Sequence, residues 1–145
     1  MFKDDIFPLL LENLKNSLPI EIPVSAVLEV NGKLYKVYNN NVYTTQNHIN
    51  HAEILAINDA LTSLHVMDFK NFDATLYSTL EPCCMCLSFA SLVRVKRILY
   101  YLNDPKFGGV SRIYALNSSF TKPDILCIER EEVKNIMQNF FKDKR

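Results

Sequence analysis

The sequence predicts an α/β fold in which one mixed, five-stranded sheet is sandwiched between layers of helices. Three observations predict it. Two apolar runs, Val24 to Val30 and Lys33 to Tyr38, flank Asn31-Gly32, a dipeptide whose tolerance of positive φ suits a two-residue hairpin turn. Downstream, short apolar runs alternate with segments of helical period, the pattern of strands joined by crossover helices. The chain has 145 residues, 48% hydrophobic and 22% charged, which makes residues 1–145 one globular domain. A domain of this length buries roughly 70% of its unfolded surface and needs no disulfides to hold it.

Taken in order, Ile6, Leu10, Leu14 and Leu18 recur every four residues and predict an amphipathic helix stopped by Pro19. The hairpin follows. Asn39 to Asn50 is polar and rich in asparagine and reads as a loop, leading into the helical period of Ala52 to Leu61. Ala74 to Ser78 reads as a short strand, Cys83 to about Val93 as a helix opened by Pro82, and Arg97 to Leu102 as a strand. After the loop Asp104-Pro105-Lys106-Phe107-Gly108-Gly109 come a short helix near Arg112 to Leu116, a strand from Ile125 to Ile128 and a last helix from about Glu131 to Phe141. The final Lys142-Asp143-Lys144-Arg145 reads as a solvated tail, its basic residues free to meet phosphate. No repeat, low-complexity tract or linker interrupts the order.

Charge and cysteine usage narrow the function classes. Sixteen basic and 16 acidic residues balance to zero, so nothing overall marks a nucleic-acid coat protein, and charge alone neither supports nor excludes an RNA substrate. Met1-Phe2-Lys3-Asp4-Asp5 puts acids where a secretory signal carries positive charge, and no apolar run approaches the roughly 18 residues of a membrane span. The expectation is a cytoplasmic protein with no membrane segment. Cys83, Cys84 and Cys86 crowd too closely for a disulfide network, and in a reducing compartment such a cluster signals metal or redox chemistry. Cys127, inside Ile125-Leu126-Cys127-Ile128, reads as core packing.

The chemistry gathers at two helix starts. His51-Ala52-Glu53 opens one helix and Pro82-Cys83-Cys84-Met85-Cys86 opens another, each after a loop or a strand end, so the two can face each other. Cysteines three apart in a first helical turn share a face, and the positive end of the helix favours their thiolates. Zn²⁺ accepts two thiolates and an imidazole and keeps a fourth tetrahedral position for water, which makes His51, Cys83 and Cys86 the candidate ligands. Glu53, two residues from His51, is placed to reach that water without binding the metal. Its role is then general acid/base: it takes the nucleophile's proton and delivers it to a ring nitrogen and to departing ammonia, which is hydrolytic deamination of an amino-substituted nucleobase.

His-x-Glu followed by Pro-Cys-x-x-Cys is the signature of the zinc nucleobase deaminases, and the chain resembles the cytidine deaminase-like superfamily. The run from Ala74 to Cys86 is most similar to bacterial tRNA-specific adenosine deaminases, which turn the wobble adenosine of an anticodon into inosine. Val24-Ser25-Ala26-Val27 with the Asn31-Gly32 turn, the 104–109 loop, and Glu129-Arg130-Glu131-Glu132 with Phe140-Phe141 extend the likeness over most of the chain. The resemblance implies the three-layer cytidine deaminase-like fold, and it implies that Asn40, with Asn39 as the fallback, touches the substrate base. It further implies that Leu80 lies beside the base and that the Cys83 backbone N–H bonds the incoming oxygen. A tRNA anticodon loop and a second copy of the chain are the implied partners. The dimer contact involves the helix after the cysteines, where Leu87, Phe89, Leu92 and Val93 are more apolar than one helical face needs. The chain departs from the family at Leu87 and Phe89, where small residues are usual, at Asn50 before His51, and at Tyr101-Leu102-Asn103, where glycine, alanine and arginine are common; one RNA-facing positive charge is missing there.

Other readings compete with these. A Cys-x-x-Cys pair also serves redox chemistry, and a structural zinc module would need a fourth ligand, for which Cys84 points elsewhere and Cys127 lies in a strand. His48 and His65 read as surface residues, with His48 near enough to His51 to line a pocket. Within the deaminase reading the substrate stays open between a flipped adenosine of an anticodon loop and a free nucleobase, nucleoside or nucleotide of cytosine, guanine or adenine type, because His, Glu and two Cys serve all three bases.

Overall fold

Leu10 and Leu14, one helical turn apart, are buried together with Ile6 and Phe7 in the computed structural model, which describes residues 6–113, 122–142 and 144. They fix the inner face of α1 (Phe7–Lys15), where Pro8 occupies a first-turn position whose N–H would have no helical partner. The helix ends before Leu18, short of the expected stop. Asn16 and Ser17 donate to the carbonyls of Asn13 and Leu14 in a tightened last turn, and Leu18 is exposed. Pro19 disfavours the helical conformation of Leu18, so the chain turns early.

β1 (Ser25–Val30) is buried along its whole length, and Asn31 (φ 51°) and Gly32 (φ 85°) form the two-residue positive-φ turn that the sequence predicts. The returning strand is broken in two. β2 (Lys33–Leu34) and β3 (Tyr38–Asn39) both pair antiparallel with β1, so the sheet has six strand segments where five were expected. The segment from Asn39 to Asn50 also differs from the plain loop expected: it contains a single helical turn, α2 (Val42–Thr45).

α3 (Ala52–Leu64) leads to β4 (Ala74–Ser78), which is antiparallel to β1 and parallel to β5 (Arg97–Tyr100). Between β4 and β5 runs α4 (Cys84–Leu92); after β5 come α5 (Val110–Ile113), β6 (Asp124–Cys127), parallel to β5, and α6 (Glu131–Lys142). The sheet order is β2-β1-β4-β5-β6, with β3 beside β1. Alternate residues of the strands supply its two faces. Ala26, Leu28, Leu76 and Ile98 pack against Ala52, Ala56 and Ala60 of α3 and Leu87 and Ala90 of α4, while Val27, Tyr77 and Leu99 pack against α1 and Val133 of α6. This is the expected three-layer arrangement. The alanines at four-residue spacing on α3 let that helix lie close to the sheet.

One sequence reading changes here. Leu87 and Val93 belong to the chain's own core and Phe89 packs against it, which leaves Leu92, 76% exposed, as the outward residue of the four offered for a dimer contact. Cys127 packs against the main core, as its apolar run suggests, and is half-buried because β6 is an edge strand whose residues alternate between exposed and partly covered. The readings of Met1 to Asp5, of the short helix beyond Ile113, and of Asp143 and Arg145 lie outside the described residues.

Candidate active site

The carboxyl ends of parallel strands are where an open α/β sheet presents its ligand crevice, and β4 ends there in Thr79-Leu80-Glu81-Pro82, just before α4. His51 is the N-cap of α3 and Cys83 the N-cap of α4; both have extended backbones, and neither side chain caps its own helix. Both are therefore left to face each other. The cap that His51 does not provide comes from Asn40, whose Oδ1 accepts the Ala52 N–H at 2.9 Å. Cys86, three residues past its N-cap, returns to the same side of α4 as Cys83.

His51 Nδ1 lies 3.7 Å from Cys83 Sγ and 3.5 Å from Cys86 Sγ, and the three ligand atoms all fall within 4.8 Å of one another. A tetrahedral ion with zinc's usual bond lengths separates its nitrogen and sulfur ligands by about 3.5 Å, so this trio could hold such an ion. The thiols already behave as a paired site. Cys83 is pulled down to about 4, first by the Cys86 thiol that bonds to it and then by His51, while Cys86 is pushed far up by sharing its proton with Cys83. The Cys83 contact also raises the His51 pKa. Cys84 is exposed, as the sequence reading requires for a cysteine outside the trio.

Glu53 is 4% exposed beside this trio. Burial raises its carboxyl to about 7, although its own backbone N–H, the nearby His51 and the Cys86 thiol favour the ionised form. The side chain opens, with His51 and Cys83, onto a cavity of about 780 Å³ that Asn40 and Leu80 also line. The structure thus brings together every residue singled out for the site. His48 lines the cavity from an exposed position, while His65 ends α3 in a left-handed conformation and lines no part of it. Asn39, the fallback for Asn40, is committed elsewhere: its Oδ1 accepts from the Ser25 hydroxyl and its Nδ2 donates to the Asn13 carbonyl. Asn50 closes the turn before His51, donating to Thr45 Oγ1 at 2.8 Å and accepting the Asn41 N–H at 3.0 Å. Asn103, where the missing arginine would stand, donates to Glu129 Oε1 and accepts the Tyr100 hydroxyl.

Two buried acids escaped the sequence reading, and each holds a loop at the cavity. Glu81 accepts the Asp104 N–H at 3.0 Å with one oxygen and the Val110 N–H at 3.1 Å with the other, tying the 104–110 loop to the start of α4. A Cβ at Gly108 would collide with the Glu81 carboxylate, and one at Gly109 would stand 2.8 Å from the backbone joining Cys83 to Cys84. Both glycines are there for close approach. Glu21 accepts the N–H groups of Val42, Tyr43 and Thr44 and the Thr44 hydroxyl, which caps α2. Burial acts to raise its pKa, but those four donors outweigh it and hold the carboxyl below its ordinary value. The available signals were faint: an acid between Ile20 and Ile22, and one immediately before Pro82 with paired glycines downstream.

A family model described as MafB19-like deaminase matches residues 1–145. A protein of Rickettsia typhi named tRNA-specific adenosine deaminase is 36% identical over 135 residues, covering 90% of this chain and 88% of its own. A solved structure from a study of A-to-I editing by tRNA:A34 deaminases at the wobble position superposes with a TM-score of 0.85 at 29% identity, over 92% of this chain and 99% of that one. A guanine deaminase from Nitrosomonas europaea, 16% identical over 94% of this chain and 80% of that one, shares the fold at a TM-score of 0.72. No helix among the described residues is long and apolar enough to cross a membrane. The chain belongs to the MafB19-like deaminase family.

Proposed function

We propose that this protein, as one domain of residues 1–145, is a zinc-dependent hydrolytic deaminase that converts the wobble adenosine of a tRNA anticodon to inosine in the cytoplasm. The observation that carries the reading is the placement of Glu53: a buried carboxyl opening on the same cavity as His51 and Cys83, beside the ligand atoms of His51, Cys83 and Cys86 but outside that trio. That separation is what a proton carrier next to a metal requires. The tRNA-specific adenosine deaminases to which the chain is similar support adenosine as the base and an anticodon loop as its setting.

His51 Nδ1 and the sulfurs of Cys83 and Cys86 would hold the ion. When bound, zinc supplies the Lewis acidity that brings the pKa of a water toward neutrality. Glu53 takes one proton from the attacking water and gives it to N1 of the adenine; it then passes the second to the C6 amino group, which leaves as ammonia while the oxygen stays on C6. Asn40 spends its carbonyl oxygen on the Ala52 N–H, so its NH₂ group is the donor it offers an acceptor on the base. Leu80 packs beside the ring. The Cys83 N–H, outside the hydrogen-bonded turns of α4 because Cys83 is the N-cap, donates to the oxygen gained at C6. The same family resemblance supports a homodimer, with Leu92 of α4 at the contact.

The test is to incubate purified protein with deacylated tRNA and, in parallel, with a panel of free nucleobases, nucleosides and nucleotides, measuring inosine and ammonia together. Inosine at the wobble position with one equivalent of ammonia is expected. Rapid ammonia release from a free base or nucleoside, with every tRNA left unmodified, would replace the tRNA reading with a small-molecule deaminase.

A further inference from the structure

Phe107 stands out among the residues that line the cavity, because it is a large aromatic ring left 62% exposed at the rim. A ring so placed contributes little to the core. Yet the backbone of the loop that carries it is held by three different side chains. Asp104 Oδ1 accepts the N–H groups of Lys106 and Phe107 at 3.2 and 3.1 Å, and Glu81 accepts those of Asp104 and Val110. The Arg112 guanidinium donates to the carbonyls of Lys106 and Gly108 at 2.7 and 2.5 Å. The loop therefore holds the backbone that carries the ring in place at the rim, and Lys106 keeps its ammonium 5.2 Å from the ring centroid.

We propose that Phe107 is a stacking platform for a nucleobase next to the one that reacts, making it a specificity-determining residue for a strand over a free nucleoside. The inference rests on the RNA reading above and adds the residue that recognises the flanking base. A cavity of about 780 Å³ has room for more than one flat base between Glu53 and the rim. Any base presents a π-face, so a solvent-facing ring binds it without needing a particular hydrogen-bond pattern, and a cation beside the ring meets the adjoining phosphate. Holding the loop backbone in advance avoids the ordering cost that a slack loop would incur on binding.

The chain contains no tryptophan, so Phe107→Trp introduces a single indole at the rim that can be excited apart from the tyrosines. Placed in the Glu53→Ala background, which prevents turnover, its fluorescence is expected to be quenched by an anticodon stem–loop RNA and to stay unchanged with free adenosine at the same concentration. In the active background Phe107→Ala should lower kcat/KM for the stem–loop about 10-fold, chiefly through KM, with zinc content and thermal midpoint at the parent values. Phe107→Tyr should retain the parental value, and Phe107→Leu, which keeps bulk but loses the π-face, should not. If the parent deaminates the stem–loop while Phe107→Leu matches it, or while saturating RNA leaves the tryptophan emission unmoved, the stacking role is overturned and the substrate reading stands. If the parent neither binds nor deaminates the stem–loop, both fall together.

Discussion

The two sides of the cavity are built differently. One side is the pair of helix starts that carries His51, Glu53, Cys83 and Cys86; the other is a pair of loops, residues 39–50 and 104–110, each held by one buried carboxylate, Glu21 or Glu81. In the first, the residues sit two or three apart within each helix start: one helical turn brings Cys83 and Cys86 to one side of α4, and the packing of α3 beside α4 sets His51 and Glu53 against them. In the second, a single acid reaches more than 20 residues along the chain to gather backbone N–H groups that have no other regular partner. The difference separates what the proposed reaction needs from what its substrate would meet: the motif side offers candidate ligands and a candidate proton carrier, the loop side offers shape.

Substitutions can strike one side of the cavity and spare the other. The largest effect is expected on the motif side. His51→Ala, Cys83→Ser or Cys86→Ser should each abolish tight zinc binding and with it turnover, while Cys84→Ser keeps both; elemental analysis decides, and loss of metal from Cys84→Ser with retention by Cys83→Ser would reverse the assignment. On the loop side, Glu81→Gln puts an NH₂ group against one of two backbone N–H donors. It should cost roughly 1–3 kcal/mol in a denaturant titration and raise KM for RNA while zinc stays bound. Gly108→Ala, which drives a methyl group into the same carboxylate, should reproduce the KM effect.

A smaller effect, visible through pH, is expected at Glu21. Its folded pKa lies below the ordinary 4.5, so its contribution to stability is complete above about 4.5 and is lost as pH falls through the lowered value. Glu21→Gln should therefore be less stable than the parent near neutral pH, and the gap should close on acidification; a gap constant from pH 7 to pH 3 would contradict the capping role. The smallest effect concerns assembly. Light scattering at micromolar concentration should give a dimer mass that Leu92→Glu reduces, and a monomeric parent would remove the homodimer from the account.

The legibility of the site follows the same division. Asn31-Gly32, the apolar runs of β1 and β4, and the helix starts at Ala52 and after Pro82 were readable because each depends on neighbours in the chain. So was the meeting of His51, Cys83 and Cys86, with Glu53 opening onto the same cavity as His51 and Cys83. The break between β2 and β3 and the turn of α2 were not, since no local period marks them and α2 exists in company with a cap from Glu21. Leu87 and Val93 misled in the opposite direction. From sequence they exceed one helical face, but α4 is packed against the sheet on one side and meets α3 and α5, so it buries more of its circumference than a surface helix does.

If Glu53 carries protons in a site whose metal it does not bind, inosine formation in deacylated tRNA by zinc-loaded Glu53→Ala should collapse. Stoichiometric zinc, a folded protein and a rate at least about 100-fold below the parent's are expected. Inosine formed at the parental rate by that zinc-loaded protein would contradict that role.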